Sequence, residues 1–367
     1  MHTDTAMTTL DPIQERLAVA CLRPGSDTVA CRKLALRRSK GLDIGLEAMA
    51  VELKIDPSER EERIHRARAE ALRLRAQAAG LGFDLVTSVE TGPGRYPSRL
   101  AEIVDPPLAL WRCGPVALDG PAVAIVGSRT ATPAGLAVAR ELSRDLAVRG
   151  YTIVSGLAAG VDGAVHAAAL DAGGSTIAVL GCGVDVVYPP RHLDLARAVA
   201  ERGCLVSEFP PGSEPIGWHF PLRNRIISGL SLAVVVVEAS KKSGSLITAR
   251  LAMEQGRDVL AVPGSVASGR YCGCHALIRD GARLVESVDD VIEELEGVRP
   301  PGVDGGPEAA HGVLSALEGV MARAEPYTLD DLAERTGRSG PELLVDLGHL
   351  EMEGRIRRTA GGCFVRP

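Results

Sequence analysis

Ala122-Val-Ala-Ile-Val126 runs into Gly127-Ser-Arg129, a helix-length segment Gly135–Arg149 follows, and Thr152-Ile-Val154 comes next. The rhythm continues through Thr176–Leu180, Cys204–Val206, Ala233–Val237 and Asp258–Val262, with a second helix-length segment, Gly244–Gln255, before the last. Strand, helix, strand at a spacing of roughly 30 residues predicts parallel strands joined by crossover helices. The apolar runs are continuous rather than alternating, so both faces of the sheet are expected to be covered. The fold class that follows is α/β: a Rossmann-like, doubly wound, mainly parallel sheet.

The sequence on either side of this centre has a different texture. Residues 1–82 read as a small helical domain; Ser58–Leu72 mixes charge signs at helix spacing, which suits a solvated face. A Pro/Gly-rich passage, Gly92–Pro97 and Asp105-Pro-Pro107, leads into the sheet domain, expected over 83–296. Gly297–Pro307 is rich in Pro and Gly, and 297–309 is expected to be a linker. In the remainder, 310–367, Thr328-Leu-Asp-Asp331 and Ser339-Gly-Pro-Glu342 look like helix starts with acidic first turns. Arg355–Val365 reads as a hairpin turning at Gly-Gly. Helices followed by a hairpin are the pattern of a winged helix.

The chain has 367 residues, enough for two or three domains. No apolar run approaches the ~20 residues of a membrane helix, and no basic start precedes an apolar stretch, so no membrane partner is expected and the expected location is cytoplasmic. The eight cysteines are scattered, which suits free thiols in a reducing compartment. Cys272-Gly-Cys274-His275 lacks the spacing of a zinc site and reads as small residues in a tight loop. The formal net charge of −6 opposes binding to nucleic acid, so such binding requires a local basic patch.

Ligands of open α/β sheets bind beyond the carboxyl ends of the strands. Nearly every strand here ends in Gly or Ser: Gly127-Ser128, Ser155-Gly156, Gly181-Cys-Gly183, Ser207 and Pro263-Gly264. Such loops let a ligand approach the backbone, and one that opens a helix offers N–H groups to an anion. Ser243-Gly244-Ser245, with Lys241 and Lys242 before it and Thr248 after it, is the best phosphate cradle, although the P-loop order is absent. Arg129 and Arg191 follow other strand ends, and Phe220-Pro-Leu-Arg-Asn-Arg225 places Arg223 and Arg225 around Asn224. Trp218, Phe220 and Tyr188 stand close to these arginines in the sequence. Charge that tracks a backbone and rings that stack on bases suit a single strand. Asp162 and His166, four apart, are read as structural because no nucleophile motif accompanies them.

These residues resemble the DNA-processing protein A family, also called Smf. The resemblance runs from about Leu85 to Leu295 and rests on several motifs in order. They include Ile125-Val-Gly-Ser-Arg129, Ser155–His166, Phe220–Ser231, Glu238–Ala249, Val262-Pro-Gly264 and Leu277–Ala282. It implies a Rossmann-like domain that binds single-stranded DNA, forms homodimers and loads the RecA recombinase in natural transformation and recombination. It implies DNA contacts at Arg129, Phe220, Arg223, Asn224 and Arg225, with Lys242, Ser243, Gly244, Ser245 and Thr248 supplying anion contacts beside Ser128 and Gly156. No catalytic residue, cofactor or metal is implied. Some relatives carry a DNA-gripping lysine after a Tyr-Pro pair; here Pro190 and Arg191 follow, and Arg191 is the substitute. The resemblance carries no function to the N-terminal helices. The expected recognition helix, Pro341–Met352, bears Glu342, Asp346 and Glu351, so it is expected to meet protein rather than duplex DNA. The basic run Arg355–Arg358 argues the other way.

Two enzyme readings compete. The fold also resembles nucleoside-monophosphate phosphoribohydrolases, but their Pro-Gly-Gly-x-Gly-Thr loop and following glutamate are replaced by Ser243–Thr248, with no Glu before Glu254. A nicotinamide-dependent dehydrogenase needs a GxGxxG turn after the first strand, where this chain has Gly-Ser-Arg.

Overall fold

In the computed structural model the described residues are 11–22, 45–88, 95–295 and, within 320–366, all but 323–324, 338–339, 341–342, 345–346, 348–349, 352–354 and 360–362. Two compact units result, Met1–Pro301 and Gly302–Pro367.

The first unit opens with helices α1 (Pro12–Cys21), α2 (Leu46–Glu52) and α3 (Arg60–Gly80). Asp11 caps α1 and Thr132 caps a later helix, each followed by a proline (Pro12 and Pro133) at the first helical position. Along α3 the buried residues are Ile64, Ala67, Ala71, Leu74 and Ala78, one stripe at helical spacing. Its charged residues form exposed pairs such as Arg73–Glu70. The stripe packs into the same apolar cluster as Leu108 and Trp111 of the sheet domain, so packing does not break at residue 82.

The sheet has nine strands: β1 (Asp84–Thr87), β2 (Ala109–Cys113), β3 (Ala122–Gly127), β4 (Thr152–Ser155), β5 (Thr176–Val179), β6 (Cys204–Ser207), β7 (Ala233–Val237), β8 (Asp258–Ala261) and β9 (Arg283–Leu284). Their order is β1-β2-β6-β5-β4-β3-β7-β8-β9. Strands β6 to β9 in that order are all parallel to their neighbours, while β1 and β2 add an antiparallel edge. The sequence reading missed that edge, because Asp105-Pro-Pro107 masked the strand that follows it.

Helices cover both faces. They are α4 (Ser98–Ala101), α5 (Pro133–Val148), α6 (Val161–Asp171), α7 (Leu193–Arg202), α8 (His219–Leu230), α9 (Ser245–Glu254), α10 (Cys272–Arg279) and α11 (Val288–Glu294). Strand β3 shows why a continuous apolar run is needed. Val123 and Ile125 join Leu142 and Leu146 of α5 on one face. Ala124 and Val126 join Ile226 and Ile227 of α8 and Ala249 of α9 on the other. Alternate residues thus enter different cores.

Chain order runs outward from β3 in both directions, through β4, β5 and β6 on one side and β7 and β8 on the other. The gap between β3 and β7 is therefore the topological switch point, where the flanking loops diverge and leave a crevice.

In the second unit Phe364–Val365 pairs with both Pro326–Tyr327 and Arg357–Arg358 in a small antiparallel sheet. The helix Leu329–Thr336 starts with a Thr328–Asp331 capping box, as the sequence predicts. Leu332, Leu343, Leu347, Leu350, Ile356 and Phe364 form its core. This is a winged-helix arrangement. Of the acidic residues expected on the recognition helix, Glu342 and Asp346 lie outside the described residues, as do the linker and the Gly361-Gly362 turn. Among the described residues no helix is long and apolar enough to cross a membrane.

Candidate functional site

A cavity of about 410 Å³ opens at the β3/β7 switch point. Three segments supply most of its wall, and Ala158 and Asp162, which follow β4, complete it.

The first is the turn leaving β3. Gly127 lies so close to β7 that a Cβ there would stand 2.0 Å from the Val237 carbonyl oxygen. Only glycine lets the turn start at this point. The Ser128 carbonyl then accepts a hydrogen bond from the Val161 N–H (3.1 Å). Arg129 projects from the turn, exposed, its guanidinium 5.9 Å from the centroid of the Phe220 ring. That separation is within cation–π range.

The second segment is the first turns of α8. Phe220, Arg223 and Asn224 sit at helical spacings of three and four and share one face, which lines the cavity. Arg223 is buried, and its guanidinium too is 5.9 Å from the Phe220 ring centroid. Its Nη1 donates to the carbonyls of Gly156 (2.8 Å) and Val179. Gly156 makes room for it, since a Cβ there would meet Arg223 Nη2 at 2.6 Å. The Gly156 N–H donates to Asp162 Oδ2 (3.1 Å), so this amide is already committed. Burial pushes the Arg223 guanidinium down to about 10; the Asp162 carboxylate opposes that shift, and Arg129 adds to it. Arg223 is therefore cationic at neutral pH. Asp162 is pushed up by burial, against the charge of Arg223 and two backbone donors.

The third segment is the loop from β7 into α9. Lys242, Ser243, Gly244, Ser245 and Thr248 all line the cavity. Ser243 Oγ and Ser245 Oγ are hydrogen-bonded at 2.7 Å, which folds the loop over the first turn of the helix. Lys242 is exposed, and neither it nor Arg129 has a carboxylate within ion-pair range among the described residues. Among the described residues the cavity wall thus carries Arg129, Arg223 and Lys242 against the single carboxylate of Asp162. In a chain of net charge −6 this is a local concentration of positive charge.

Ten of the sequence-predicted residues meet here: Ser128, Arg129, Phe220, Arg223, Asn224, Lys242, Ser243, Gly244, Ser245 and Thr248. Three do not line it. Gly156 stands behind Arg223, as above. Arg191 lies in the exposed turn Pro190–His192, away from the cavity wall. Arg225 is only 2 % exposed; it binds both oxygens of Glu208 (2.8 and 2.5 Å) and the Asp105 carbonyl (3.0 Å). Two residues on a helix are roughly 200° apart, so the pair Arg223 and Arg225 cannot face one ligand.

Tyr188 has a larger place than its sequence position suggests. Its ring is 5.4 Å from that of Phe220 and is 44 % exposed, extending the aromatic surface beyond the cavity. His166 is fully buried and its Nδ1 is 2.7 Å from Thr176 Oγ1. Burial pushes it down to about 3. Asp162, paired with it in the sequence reading, lies instead in the cavity wall. Cys274 is buried, with the Ala239 N–H donating to its sulfur (3.3 Å), and no metal-ligand cluster occurs among the described residues.

The family model for DNA recombination-mediator protein A matches residues 88–296, and a model for the DprA winged helix domain matches 299–362. Protein Smf of Escherichia coli (strain K12) is 42% identical over 280 residues, spanning 74% of this chain and 75% of that protein. The X-ray structure of DNA processing protein A from Streptococcus pneumoniae superposes with a TM-score of 0.68 at 36% identity, covering 77% of this chain and 98% of that one. DNA processing protein A from Helicobacter pylori superposes with a TM-score of 0.52 at 31% identity, over 58% of this chain and 95% of that one. That last structure is described as giving insight into a unique single-stranded DNA binding mode.

Proposed function

We propose that this chain, which belongs to the DNA recombination-mediator protein A family, binds single-stranded DNA at the cavity between β3 and β7. The observation that carries the reading is the meeting of three cations at the switch point with an aromatic pair, half-buried Phe220 and exposed Tyr188. Arg129 and Lys242 reach phosphates from two sides. The hydroxyls of Ser128, Ser243 and Thr248 donate hydrogen bonds to the same anionic backbone. Phe220 and Tyr188 offer ring faces to bases, and Asn224 offers both a donor and an acceptor to a base edge. Arg223 is already bonded to two carbonyls, so it supports Phe220 and supplies charge without moving. Stacking and phosphate contacts together give affinity with little sequence preference.

The finer expectations belong to the same proposal. The chain works as a homodimer in the cytoplasm, protects incoming single strands, and loads RecA onto them in transformation and recombination. The phosphoribohydrolase reading is less well served. Asp162 is the one carboxylate in the cavity wall among the described residues, and its Oδ2 accepts the N–H groups of Gly156 and Ala158 (3.1 and 3.4 Å). It holds the loop together rather than standing ready for proton transfer.

Fluorescence anisotropy with labelled single-stranded and duplex oligonucleotides tests the reading. Tight, salt-sensitive binding of the single strand is expected, and the Arg129→Ala, Lys242→Ala variant weakens it by about 100-fold, roughly tenfold per lost phosphate contact. A folded wild type that ignores single strands overturns it. RecA loading is tested separately, by whether the chain speeds RecA filament growth on the bound strand.

A further inference from the structure

The residue that follows β7 is Glu238, and its backbone is left-handed (φ 52°). A non-glycine residue there is strained, which directs attention to what the side chain does in return. Its carboxylate is 1 % exposed and reaches across the switch point to the turn after β3. Oε2 accepts from the Thr132 N–H (2.9 Å) and the Thr132 hydroxyl (2.7 Å). Oε1 accepts from Arg270 Nη1 (3.2 Å). That same Nη1 donates to the Thr130 carbonyl at 2.9 Å.

The turn is therefore gripped along its length. Ser128 is held at both ends, its N–H donating to the Val237 carbonyl (3.3 Å) and its carbonyl accepting from Val161 (3.1 Å). Thr130 is held by Arg270 and Thr132 by Glu238. The Thr132 hydroxyl also accepts from the Gly135 N–H (3.1 Å) and so caps α5. Gly135 has no room for a side chain, because a Cβ would lie 2.3 Å from Glu238 Oε2. Gly160 presses on the turn from beneath, where a Cβ would meet the Ser128 carbonyl oxygen at 2.2 Å. Arg129 is the one long side chain of this fixed turn, and it points over Phe220. Neither Glu238 nor Arg270 lines the cavity.

We infer that Glu238 and Arg270 are positioning residues for DNA binding: they bracket Thr130 and Thr132 from behind and so hold Arg129 over Phe220 before the strand arrives. The inference rests on the DNA reading above. Its physical content is pre-organisation, since a guanidinium already in place loses less freedom on binding than one that must be ordered by the ligand. Arg270 comes from the loop after β8, so the bracket ties that loop, which is not in the cavity, to the residue that meets DNA.

The test is a double-mutant cycle on the full chain, read by anisotropy with a labelled oligothymidine. Arg270 is half exposed, so Arg270→Ala is expected to fold. It weakens single-strand binding by about 3- to 10-fold in the wild-type background and changes it by less than about 2-fold in the Arg129→Ala background. An equal loss in both backgrounds overturns the inference, because Arg270 would then act on DNA by itself. No loss in either also overturns it. Amide hydrogen exchange over Ser128–Thr132 gives a readout that needs no DNA. Exchange is faster in Arg270→Ala and Thr132→Val, and unchanged in Thr132→Ser, which keeps the hydroxyl. If wild type binds no single strand but exchange follows this pattern, the DNA reading fails and the bracket stands. If exchange is the same in all variants, the bracket fails.

Discussion

The first turns of α8 separate two cavities of similar size and opposite character. The one at the switch point, about 410 Å³, is walled by Arg129, Arg223 and Lys242. The one behind the helix, about 360 Å³, is walled by Trp111, Trp218, His219 and Leu222 together with the carboxylates of Glu70 and Glu208, and among the described residues no Lys or Arg lines it. The same short stretch supplies both: Phe220, Arg223 and Asn224 face one way, His219 and Leu222 the other. A ring beside a helix start is therefore not enough to make a nucleic-acid site. The side on which the cations fall decides, and helical geometry sets that side.

The two arginines of this stretch break the comparison most severely if it is wrong. Arg225→Ala removes the guanidinium that binds the buried carboxylates of Glu208 and Asp105, and is expected to destabilise the fold by about 3–5 kcal/mol in a denaturant titration. Whatever remains folded binds single strands as wild type does. A loss of affinity with unchanged stability would move Arg225 into the DNA site.

Phe220→Ala is next. It removes a stacking face, and the expected loss of single-strand affinity is about 1–3 kcal/mol with the salt dependence unchanged. The matching change behind the helix, Trp218→Ala, leaves affinity within about 2-fold, so measuring the two side by side sharpens the contrast. Lys242→Ala lowers the slope of log affinity against log salt by about 0.7, the value for one single-strand phosphate, while Glu70→Gln leaves that slope alone.

The smallest effect concerns pH. Burial lowers the pKa of His219, and of His166 to about 3. Each is held neutral in the folded chain while the unfolded chain takes up a proton below about 6.5. Their contribution is thus present above about pH 6.5 and is lost as pH falls towards the folded values. The urea midpoint is expected to drop between pH 7.5 and 5, and His219→Phe, which keeps the stack on Phe209, removes part of that drop.

Much of the architecture was legible because parallel strands buried on both faces must be continuously apolar. The strands from Ala122 to Val262 stand out for that reason, and the residues following β3 and β7 could be paired as a ligand site by the switch-point rule alone. The antiparallel edge was not legible. Ala109-Leu-Trp-Arg-Cys113 follows two prolines and carries an arginine, so it lacks the signature of an inner strand. At the site, residue types were readable but directions were not. Arg223-Asn-Arg225 looks like one patch until helical phase divides it. Arg191 looks close to the site because Tyr188 is, yet it does not line the cavity. Nothing local in Glu238 or Arg270 announces that both hold the turn bearing Arg129, since 32 residues separate one from the other and 106 separate Glu238 from Thr132.

The most direct test of the central claim is photo-crosslinking of the full chain to a 5-iodouracil-substituted single strand, with the modified residue located by mass spectrometry. The account predicts crosslinks at Phe220 and Tyr188, lost when Arg129 and Lys242 are replaced by alanine. Crosslinks confined to Trp218 behind α8, or to the winged-helix unit, would contradict it.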